Sequence, residues 1–253
     1  MSEVIADYRG FDYQKEFWEK GGRSYEDACD RIALRKLLKK HGDRLVDVCG
    51  GYGRLVNEYL PKYAEVIVFD YAQNLLDQAA ARYGDKITTQ QGTADELPFE
   101  TASIDTCIFV RASHHFAELE KIIAQISRIL KTGGEAVVEI ANKKHFLQIV
   151  RHLLKRSPYD PFAQETISRN QKGFFNYHPA YIEALFKKEG LAVADKLSVS
   201  NFRNGLFKKI LGLKFLCALE KILQRPLAKI EFGPSIYYLV KKEQAEADRL
   251  FGN

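Results

Sequence analysis

The amino-acid sequence predicts an α/β protein built on a mostly parallel, seven-stranded sheet with helices on both faces. Three observations support this: short apolar runs alternate with segments of helical periodicity, turn residues separate the two, and no internal repeat is present. Strands separated by helices form βαβ units, in which neighbouring strands run parallel. With 253 residues, 46% of them hydrophobic, the chain can bury one substantial core. We therefore expect a single domain spanning 1–253.

The segments up to residue 141 supply this pattern in order. Short apolar runs predict strands at 44–49, 65–70, 86–90, 103–110 and 135–140. Apolar residues at helical spacing predict helices at 25–40, 55–60, 74–83 and 118–130. Gly42 is expected to end the first of these helices and Pro61 the second.

Beyond residue 141 the alternation becomes irregular. A basic, aromatic stretch at 143–178 is followed by a predicted helix at 179–189 and predicted strands at 191–200 and 235–240. The segment 206–225 carries two apolar stripes that change side at Gly212, which indicates two short amphipathic helices with a bend. Four interpretations stay open for it: a helical hairpin packed on the sheet, a cover over an apolar ligand, a dimer surface, or a peripheral membrane contact.

The composition of the chain narrows the class of protein. Lys and Arg total 38 and Asp and Glu total 33, and a net charge of +5 is mild for a dedicated nucleic-acid binder. The four cysteines lie far apart, so we expect thiols in a reducing compartment rather than a disulfide framework or a metal site. The first residues lack a secretory signal pattern, and no run approaches the ~18 apolar residues of a membrane span. We expect a cytoplasmic protein.

A glycine-rich turn, DVCGGYG at 47–53, follows the first strand. Glycines at this point let the backbone turn sharply and approach a ligand. Asp70 ends the second strand, where a carboxylate can bind both hydroxyls of a ribose. NAD-type dinucleotides and S-adenosylmethionine both suit this pair. The dinucleotide pattern GxGxxG requires a glycine where Val56 or Tyr52 stands, so the spacing argues against it.

This turn begins a series of motifs, in order over about 25–141, that resembles class I S-adenosylmethionine-dependent methyltransferases. The turn is similar to the family pattern DxGxGxG, with Cys49 in place of the first glycine. The later motifs are IVFDY at 67–71, GTADELPF at 92–99, VRASHH at 110–115 and ILKTGGE at 129–135. The small-molecule branch, which includes quinone-biosynthesis methyltransferases, looks most similar. The resemblance implies a Rossmann-like sandwich with a helical C-terminal insertion, S-adenosyl-L-methionine as cofactor and S-adenosyl-L-homocysteine as product.

The resemblance implies a cofactor role for ten residues of the chain. They are Tyr25 in a lid, Cys49 near the methionine end, Gly51 and Gly53 beside the amino-acid part, Asp70 at the ribose, Tyr71, Ala94 and Asp95 at the adenine, and Val110 and Arg111 under the methionine portion. Asp70 and Asp95 alternatively cap local turns, and Tyr71 alternatively lies on the surface. The chain would comprise an N-terminal lid and helix (1–40), a cofactor-binding core (41–141), acceptor-side elaborations (142–234) and a last strand (235–241).

Two adjacent histidines, His114 and His115, are the candidate catalytic residues. They follow the fourth strand, at the carboxyl edge of the sheet where sites of α/β proteins form. Imidazole titrates near neutral pH, so either histidine suits a general base for a phenol or enol oxygen. The alternative is that one histidine caps the next helix and the other packs.

Three further residues are candidates on the acceptor side. Arg111 is expected either to orient an acidic substrate or the cofactor carboxylate, or to form a surface ion pair with Glu118 or Asp95. Tyr177 and His178 lie in the insertion after the fifth strand, where the resemblance places the acceptor pocket.

The predicted function is methyl transfer to O or C of a small, apolar or aromatic acceptor. An RNA or protein methyltransferase is the first alternative, but His114-His115 stands where amine methylation of bases often uses an Asn/Asp-Pro-Pro-Tyr motif. A non-catalytic adenosyl-binding or scaffold protein is the second alternative, and Cys49 keeps it open.

Overall fold

The computed structural model describes residues 22–38, 42–168 and 174–244, apart from the side chain of Leu206. Its helices are α1 (Ser24–Leu37), α2 (Gln73–Tyr83), α3 (Leu119–Ile129), α4 (Phe146–Leu153), α5 (Pro179–Lys188) and α6 (Gly205–Ala228). Its strands are β1 (Gly42–Val48), β2 (Tyr63–Asp70), β3 (Thr88–Gln91), β4 (Ile104–Phe109), β5 (Leu130–Ala141), β6 (Ile167–Ser168), β7 (Phe175–Asn176), β8 (Leu191–Val199) and β9 (Ser235–Lys242). Short 3-10 turns lie at Val56–Glu58, Leu60–Lys62, Gly84–Lys86 and Ser113–His115. Residues 1–21, half of the predicted N-terminal lid and helix, lie outside the described ranges.

Seven strands form one sheet in the order β3-β2-β1-β4-β5-β9-β8. β1 to β5 run parallel, whereas β9 is antiparallel to both β5 and β8. This arrangement confirms the predicted mostly parallel, seven-stranded sheet. β6 and β7 form a separate antiparallel pair that the sequence did not predict. Because β1 lies between β2 and β4, the strand order reverses there, and ligands of open α/β sheets bind beyond the carboxyl ends of strands at such a point.

Both faces of the seven-stranded sheet are buried, and this packing holds the carboxyl ends of its central strands in place. Along β4, Cys107 and Phe109 belong to one hydrophobic cluster and Ile108 to the other, as expected for a central strand with alternating side chains. The first cluster includes Ile126 of α3, and the second includes Leu34 of α1. The carboxyl ends of β1 and β4 are therefore held between two packed helical layers.

The helix predicted at 55–60 does not form. These residues fall in two short 3-10 turns instead, and Pro61 lies inside the second turn. The segment is held from outside, because Arg31 and Arg35 of α1 bind the Glu58 carboxylate at 3.0 and 2.6 Å. The segment after the glycine turn is thus stabilised by ion pairs with α1, without a continuous series of helical backbone hydrogen bonds.

The structure confirms the predicted bend at Gly212, which lies within α6. This glycine has φ 68° and ψ 158°, outside the helical region, and divides α6 into a first limb (205–211) and a second limb (213–228). The second limb buries Leu216, Glu220 and Gln224, spaced four residues apart, and packs against α1 and β8. The first limb is largely exposed. Within the described ranges, no helix is both long enough and apolar enough to cross a membrane.

Candidate functional site

Two adjoining clefts open at the carboxyl ends of β1, β2 and β4. The first cleft has a volume of about 690 Å³ and the second about 440 Å³. Cys49, Gly51 and Arg111 line both of them. The first cleft is also lined by Asp70, Tyr71, Ala94 and Asp95, and the second by Val110. Eight of the ten predicted cofactor residues therefore surround one continuous region, while Tyr25 and Gly53 line neither cleft.

The glycine turn after β1 forms the boundary between the two clefts. Gly51 and Gly53 have φ of +54° and +71°, in the left-handed region that favours glycine. At Gly50 a Cβ would come within 2.9 Å of the Asp47 side chain, so the backbone needs glycine there for close packing. Gly53 fastens the turn to α2, because its carbonyl accepts a hydrogen bond from the hydroxyl of Tyr83 at 3.0 Å.

Cys49 belongs to the same turn and has a conformation that suits glycine better. Its φ is +60°, a left-handed angle that costs an L-residue with a side chain about 1–2 kcal/mol. Burial, followed by the charges of Asp70 and Asp47, raises the pKa of its thiol well above the usual range. The thiol therefore stays protonated at neutral pH and is a poor nucleophile.

Asp70 places its carboxylate on the wall of the first cleft. Oδ2 accepts a hydrogen bond from the Gly51 amide at 2.9 Å, and Oδ1 accepts one from the Ala72 amide at 3.0 Å. Burial raises the pKa of Asp70, and these N–H donors oppose that rise. A carboxylate has about four acceptor positions, so both oxygens keep capacity for a pair of ligand hydroxyls.

Asp47 lines the second cleft, although the sequence analysis did not single it out. It lies near the end of β1, and its Oδ2 accepts a hydrogen bond from the Tyr59 hydroxyl at 2.5 Å. Burial raises its pKa to about 7, against the opposing effects of Tyr59 and Arg54. The signal was available, because Asp47 is the acidic residue that opens the DxGxGxG-like motif.

Arg111 lines both clefts, but its guanidinium is committed to buried carboxylates. Its Nη2 and Nε donate to the two oxygens of Asp30 at 2.7 and 3.1 Å, and its backbone N–H donates to Glu139 at 3.0 Å. This buried arrangement corrects the predicted surface ion pair with Glu118 or Asp95. The sequence could not show it, because Asp30 comes from α1 and Glu139 from β5, both far from Arg111 along the chain.

Tyr71, Ala94 and Asp95 lie together on the wall of the first cleft. The loop after β3 reaches this position by passing close to β2. At Gly92 a Cβ would lie 2.6 Å from the ring of Phe69, so a side chain there would force the loop outward. The three residues predicted at an adenine ring are thus brought together on one surface.

His114 and His115 lie in the 3-10 turn after β4, and His115 lines the first cleft. Their ring centroids are 4.0 Å apart, and the Phe174 ring lies 5.4 Å from His114 and 5.3 Å from His115. Burial lowers the pKa of His115 to about 4, so this imidazole is neutral at pH 7. The structure therefore brings one of the two predicted bases to the cleft and places the other beside it.

Besides Gly53 and His114, three predicted site residues line neither cleft, namely Tyr25, Tyr177 and His178. Tyr25 packs between α1 and α6, where its hydroxyl donates to Glu220 at 2.6 Å. Tyr177 is buried and donates to the carbonyl of Phe116, which supports the loop that carries His115. His178 caps α5 with its Nδ1, which accepts a backbone N–H at 3.2 Å. These three side chains thus make packing and capping contacts within the fold, and the ligand roles stay predictions.

The chemistry of the clefts fits an adenosylmethionine molecule. The first cleft offers the Asp70 carboxylate to ribose hydroxyls, and the second offers the Asp47 carboxylate to an ammonium group. A Cβ at Gly51 would have its nearest contact at 3.6 Å, on Leu75, so the missing side chain leaves open space between the clefts.

Comparison with known proteins identifies the domain. Residues 46–138 match the family model described as a methyltransferase domain. The ubiquinone/menaquinone biosynthesis C-methyltransferase UbiE of Rhizobium etli is 30% identical over 124 residues, which is 46% of this chain and 47% of that protein. The methyltransferase YcgJ of Bacillus subtilis is 30% identical over 95 residues, 36% of this chain and 38% of that protein. The chain thus matches less than half the length of these relatives.

Solved structures share the fold over most of the chain. A Haloferax volcanii methyltransferase, in complex with the Trm112 methyltransferase activator, has a TM-score of 0.64 at 16% identity and covers 96% of this chain and 99% of that one. YcgJ of Bacillus subtilis has a TM-score of 0.56 at 18% identity and covers 85% of this chain and 99% of that one. At such identities the likeness shows the fold alone, and it confirms the predicted Rossmann-like sandwich.

Proposed function

We propose that this chain is a class I S-adenosylmethionine-dependent methyltransferase, which transfers a methyl group from that cofactor to an oxygen or carbon atom of a small, apolar or aromatic acceptor. The domain match and the fold support the reaction class. The observation that carries the proposal is the Asp70 carboxylate, which lies at the carboxyl end of β2 and lines the first cleft. Its oxygens keep acceptor capacity for a ribose after binding two backbone amides.

Methyl transfer of this kind breaks the bond between the cofactor sulfur and its methyl carbon as the acceptor atom bonds to that carbon. The protein contributes in-line positioning and exclusion of water. In this proposal Cys49, Val110 and Asp47 surround the methionine end, while Tyr71 and Asp95 surround the adenine. Arg111 supports the site from its buried ion pair with Asp30.

We propose that His115 accepts the proton that the acceptor loses during methyl transfer, since this residue lines the first cleft. A neutral imidazole can accept a proton, but a pKa of about 4 makes it a weak base. Such a base suits an acceptor with an acidic O–H or C–H, for example a phenol or an enol flanked by a carbonyl group. In this proposal His114, whose ring is tilted against that of His115 and stacked on Phe174, serves as a positioning residue.

The apolar wall of the first cleft supports an apolar or aromatic ring as acceptor. Leu75, Ala112 and Phe116 contribute to this wall next to His115. The relatives UbiE and the 2-phytyl-1,4-naphtoquinone methyltransferase of Synechococcus elongatus carry names that refer to quinone rings, which agrees with this class. For this chain we propose only the class of acceptor, an apolar or aromatic ring, and no particular quinone. We further propose that 1–253 is one domain whose part at 142–234 faces the acceptor.

The test is calorimetric titration of the purified chain with S-adenosylmethionine and S-adenosylhomocysteine. We expect saturable binding of both and a loss of at least about tenfold in affinity for Asp70→Ala, because a hydrogen bond to a charged group contributes about 1.5–3 kcal/mol. Asp70→Asn keeps the side-chain shape and should weaken binding in the same direction. The matched control is Asp77→Ala, an exposed carboxylate on α2, which should bind normally.

Binding and turnover separate the competing functions. Methyl transfer to phenol or quinone-precursor acceptors, lost in His115→Phe while cofactor affinity stays normal, supports the full proposal. Cofactor binding without transfer to any class of acceptor supports a scaffold protein. Methylation of RNA with salt-sensitive binding supports the nucleic-acid alternative. Folded, ligand-free protein that binds neither cofactor form contradicts the enzyme proposal altogether.

A further inference from the structure

The first limb of α6 is amphipathic, and its apolar side chains are largely exposed. Phe207, Ile210 and Leu211 are 45%, 68% and 36% exposed, and they lie on one side of the limb in helical projection. Leu213 and Phe215, just beyond the bend at Gly212, are 44% and 53% exposed. Contiguous exposed apolar side chains of this kind mark an interaction surface.

The limb is anchored to the fold at its polar side. Lys208 lies opposite the apolar residues, donates to both carboxylate oxygens of Glu26 at 2.8 and 3.0 Å, and lies over the Tyr25 ring. Phe202 packs edge-on against Phe207 at 6.2 Å. Lys208 and Phe207 therefore attach the limb to the fold, while Ile210 and Leu211 stay exposed.

The chain segment that carries this surface is basic, although Lys208 pairs with Glu26 and Lys196 pairs with Glu183 and Glu231. Residues 196–219 contain no Asp or Glu but five basic residues, Lys196, Arg203, Lys208, Lys209 and Lys214. Lys209 and Lys214 occupy exposed positions on either side of Gly212. An apolar face bordered by lysines, with no acidic residue nearby in the chain, is complementary to a surface with negative headgroups over an apolar layer.

The same surface lies close along the chain to the candidate site. Ser200, five residues before α6, accepts a hydrogen bond from Arg111 Nη2 at 3.2 Å, and Arg111 lines both clefts.

We propose that the first limb of α6, with Leu213 and Phe215, is a docking surface for an anionic membrane, in which the apolar side chains enter the headgroup region and Lys209 and Lys214 contact lipid phosphates. This inference goes beyond the proposed methyl transfer and does not depend on it. A chain without any transferase activity would dock in the same way.

The test is co-sedimentation of the full chain with vesicles of phosphatidylcholine, with and without phosphatidylglycerol. We expect binding to the anionic vesicles that weakens at high salt, because screening acts on exposed charges. The double variant Phe207→Ser with Ile210→Ser should lose at least about tenfold in partitioning, since each buried apolar side chain contributes more than 1 kcal/mol. The matched control is Ile222→Ser on the second limb, where the side chain is 71% exposed, and it should bind normally.

Two charge-reversal variants test whether Lys209 and Lys214 contribute to vesicle binding. Lys209→Glu with Lys214→Glu should abolish binding to anionic vesicles, whereas Lys187→Glu with Lys188→Glu on α5 should leave most of it. Equal vesicle binding by all variants would overturn the proposal. A second result would also overturn it: light scattering shows a dimer that the Phe207 and Ile210 substitutions dissociate, and the parent chain does not bind vesicles. Cofactor titration of each variant keeps this outcome separate from the proposed function.

Discussion

The buried carboxylates behind the clefts and those on the cleft walls have opposite electrostatic surroundings. Asp30, behind the clefts, accepts hydrogen bonds from both Arg54 and Arg111. Burial alone would raise its pKa, but the two arginines hold it below the usual value. Asp47 and Asp70, on the walls, accept from a tyrosine hydroxyl and from backbone N–H groups, and burial raises the pKa of both.

This difference separates the part of the molecule that holds the fold from the part that can bind a ligand. The acceptor positions of Asp30 are filled by groups of the protein, so its charge is compensated inside the fold. At Asp47 burial outweighs the combined effect of the Tyr59 hydroxyl and the Arg54 charge, and at Asp70 it outweighs that of backbone N–H groups. A bound molecule with hydroxyl or ammonium groups can supply that missing stabilisation, which is the pattern expected of a binding site.

The largest expected effect is loss of stability on removal of the Asp30 charge. Asp30→Asn leaves Arg54 and Arg111 without their shared carboxylate, and breaking a buried ion pair costs about 3–5 kcal/mol. We expect the free energy of unfolding to fall by that amount in urea denaturation. Asp77→Asn, at an exposed position on α2, is the control and should unfold like the parent chain. A loss below about 1 kcal/mol would show that the arginines do not depend on Asp30.

A smaller effect is expected from the titration of Asp47. The pKa of Asp47 is about 7 in the folded chain, against an ordinary value of 3.8 that we take for the unfolded chain. Between pH 3.8 and 7 the folded state therefore binds more protons than the unfolded state. The free energy of unfolding therefore falls as the pH rises through this window. Asp47→Asn should remove part of that decline, on the order of 2 kcal/mol, since one pKa unit corresponds to about 1.4 kcal/mol and Asp47 borders an open cleft.

Urea unfolding at a series of pH values measures this slope in the parent chain and in Asp47→Asn. Asp70 and Glu139, whose pKa values burial also raises, contribute to both proteins and cancel in the difference. Asp105→Asn provides a control of opposite sign, because the contacts of Asp105 with Lys131 and a backbone amide overcome its desolvation and lower its pKa. Parallel pH curves for the parent chain and Asp47→Asn would contradict the assignment.

The residues that line the two clefts could largely be predicted to lie at one edge of the sheet, for a local reason. The glycine turn, Asp70 and Asp95 are set by strand ends, and strand ends follow from hydrophobic runs that can be recognised in the sequence. The parallel sheet then brings those ends to one edge without further information. The two clefts are lined by these residues, as the structure shows.

The acceptor side could not be predicted in the same way, because its contacts join distant parts of the chain. Tyr25 pairs with Glu220, 195 residues away, and the predicted lid role gave no sign of that partner. Tyr177 reaches the carbonyl of Phe116, 61 residues away, and His178 is used as a helix cap. Such side chains have no periodic pattern that would reveal their partners, so their predicted roles rested on the family resemblance.

The smallest expected effect concerns the left-handed residue where the two clefts meet. Cys49→Gly and Cys49→Ala both remove the thiol, but only glycine relieves the φ of +60°. We expect the glycine variant to be more stable than the alanine variant by about 1 kcal/mol in urea unfolding, because the left-handed strain slightly outweighs the chain entropy of glycine. Gly51→Ala, at φ +54°, should lose a similar amount and serves as the reciprocal control. Equal stability of the two Cys49 variants would mean that this turn is not left-handed at residue 49. A change in cofactor affinity shared by both would place the thiol against the cofactor.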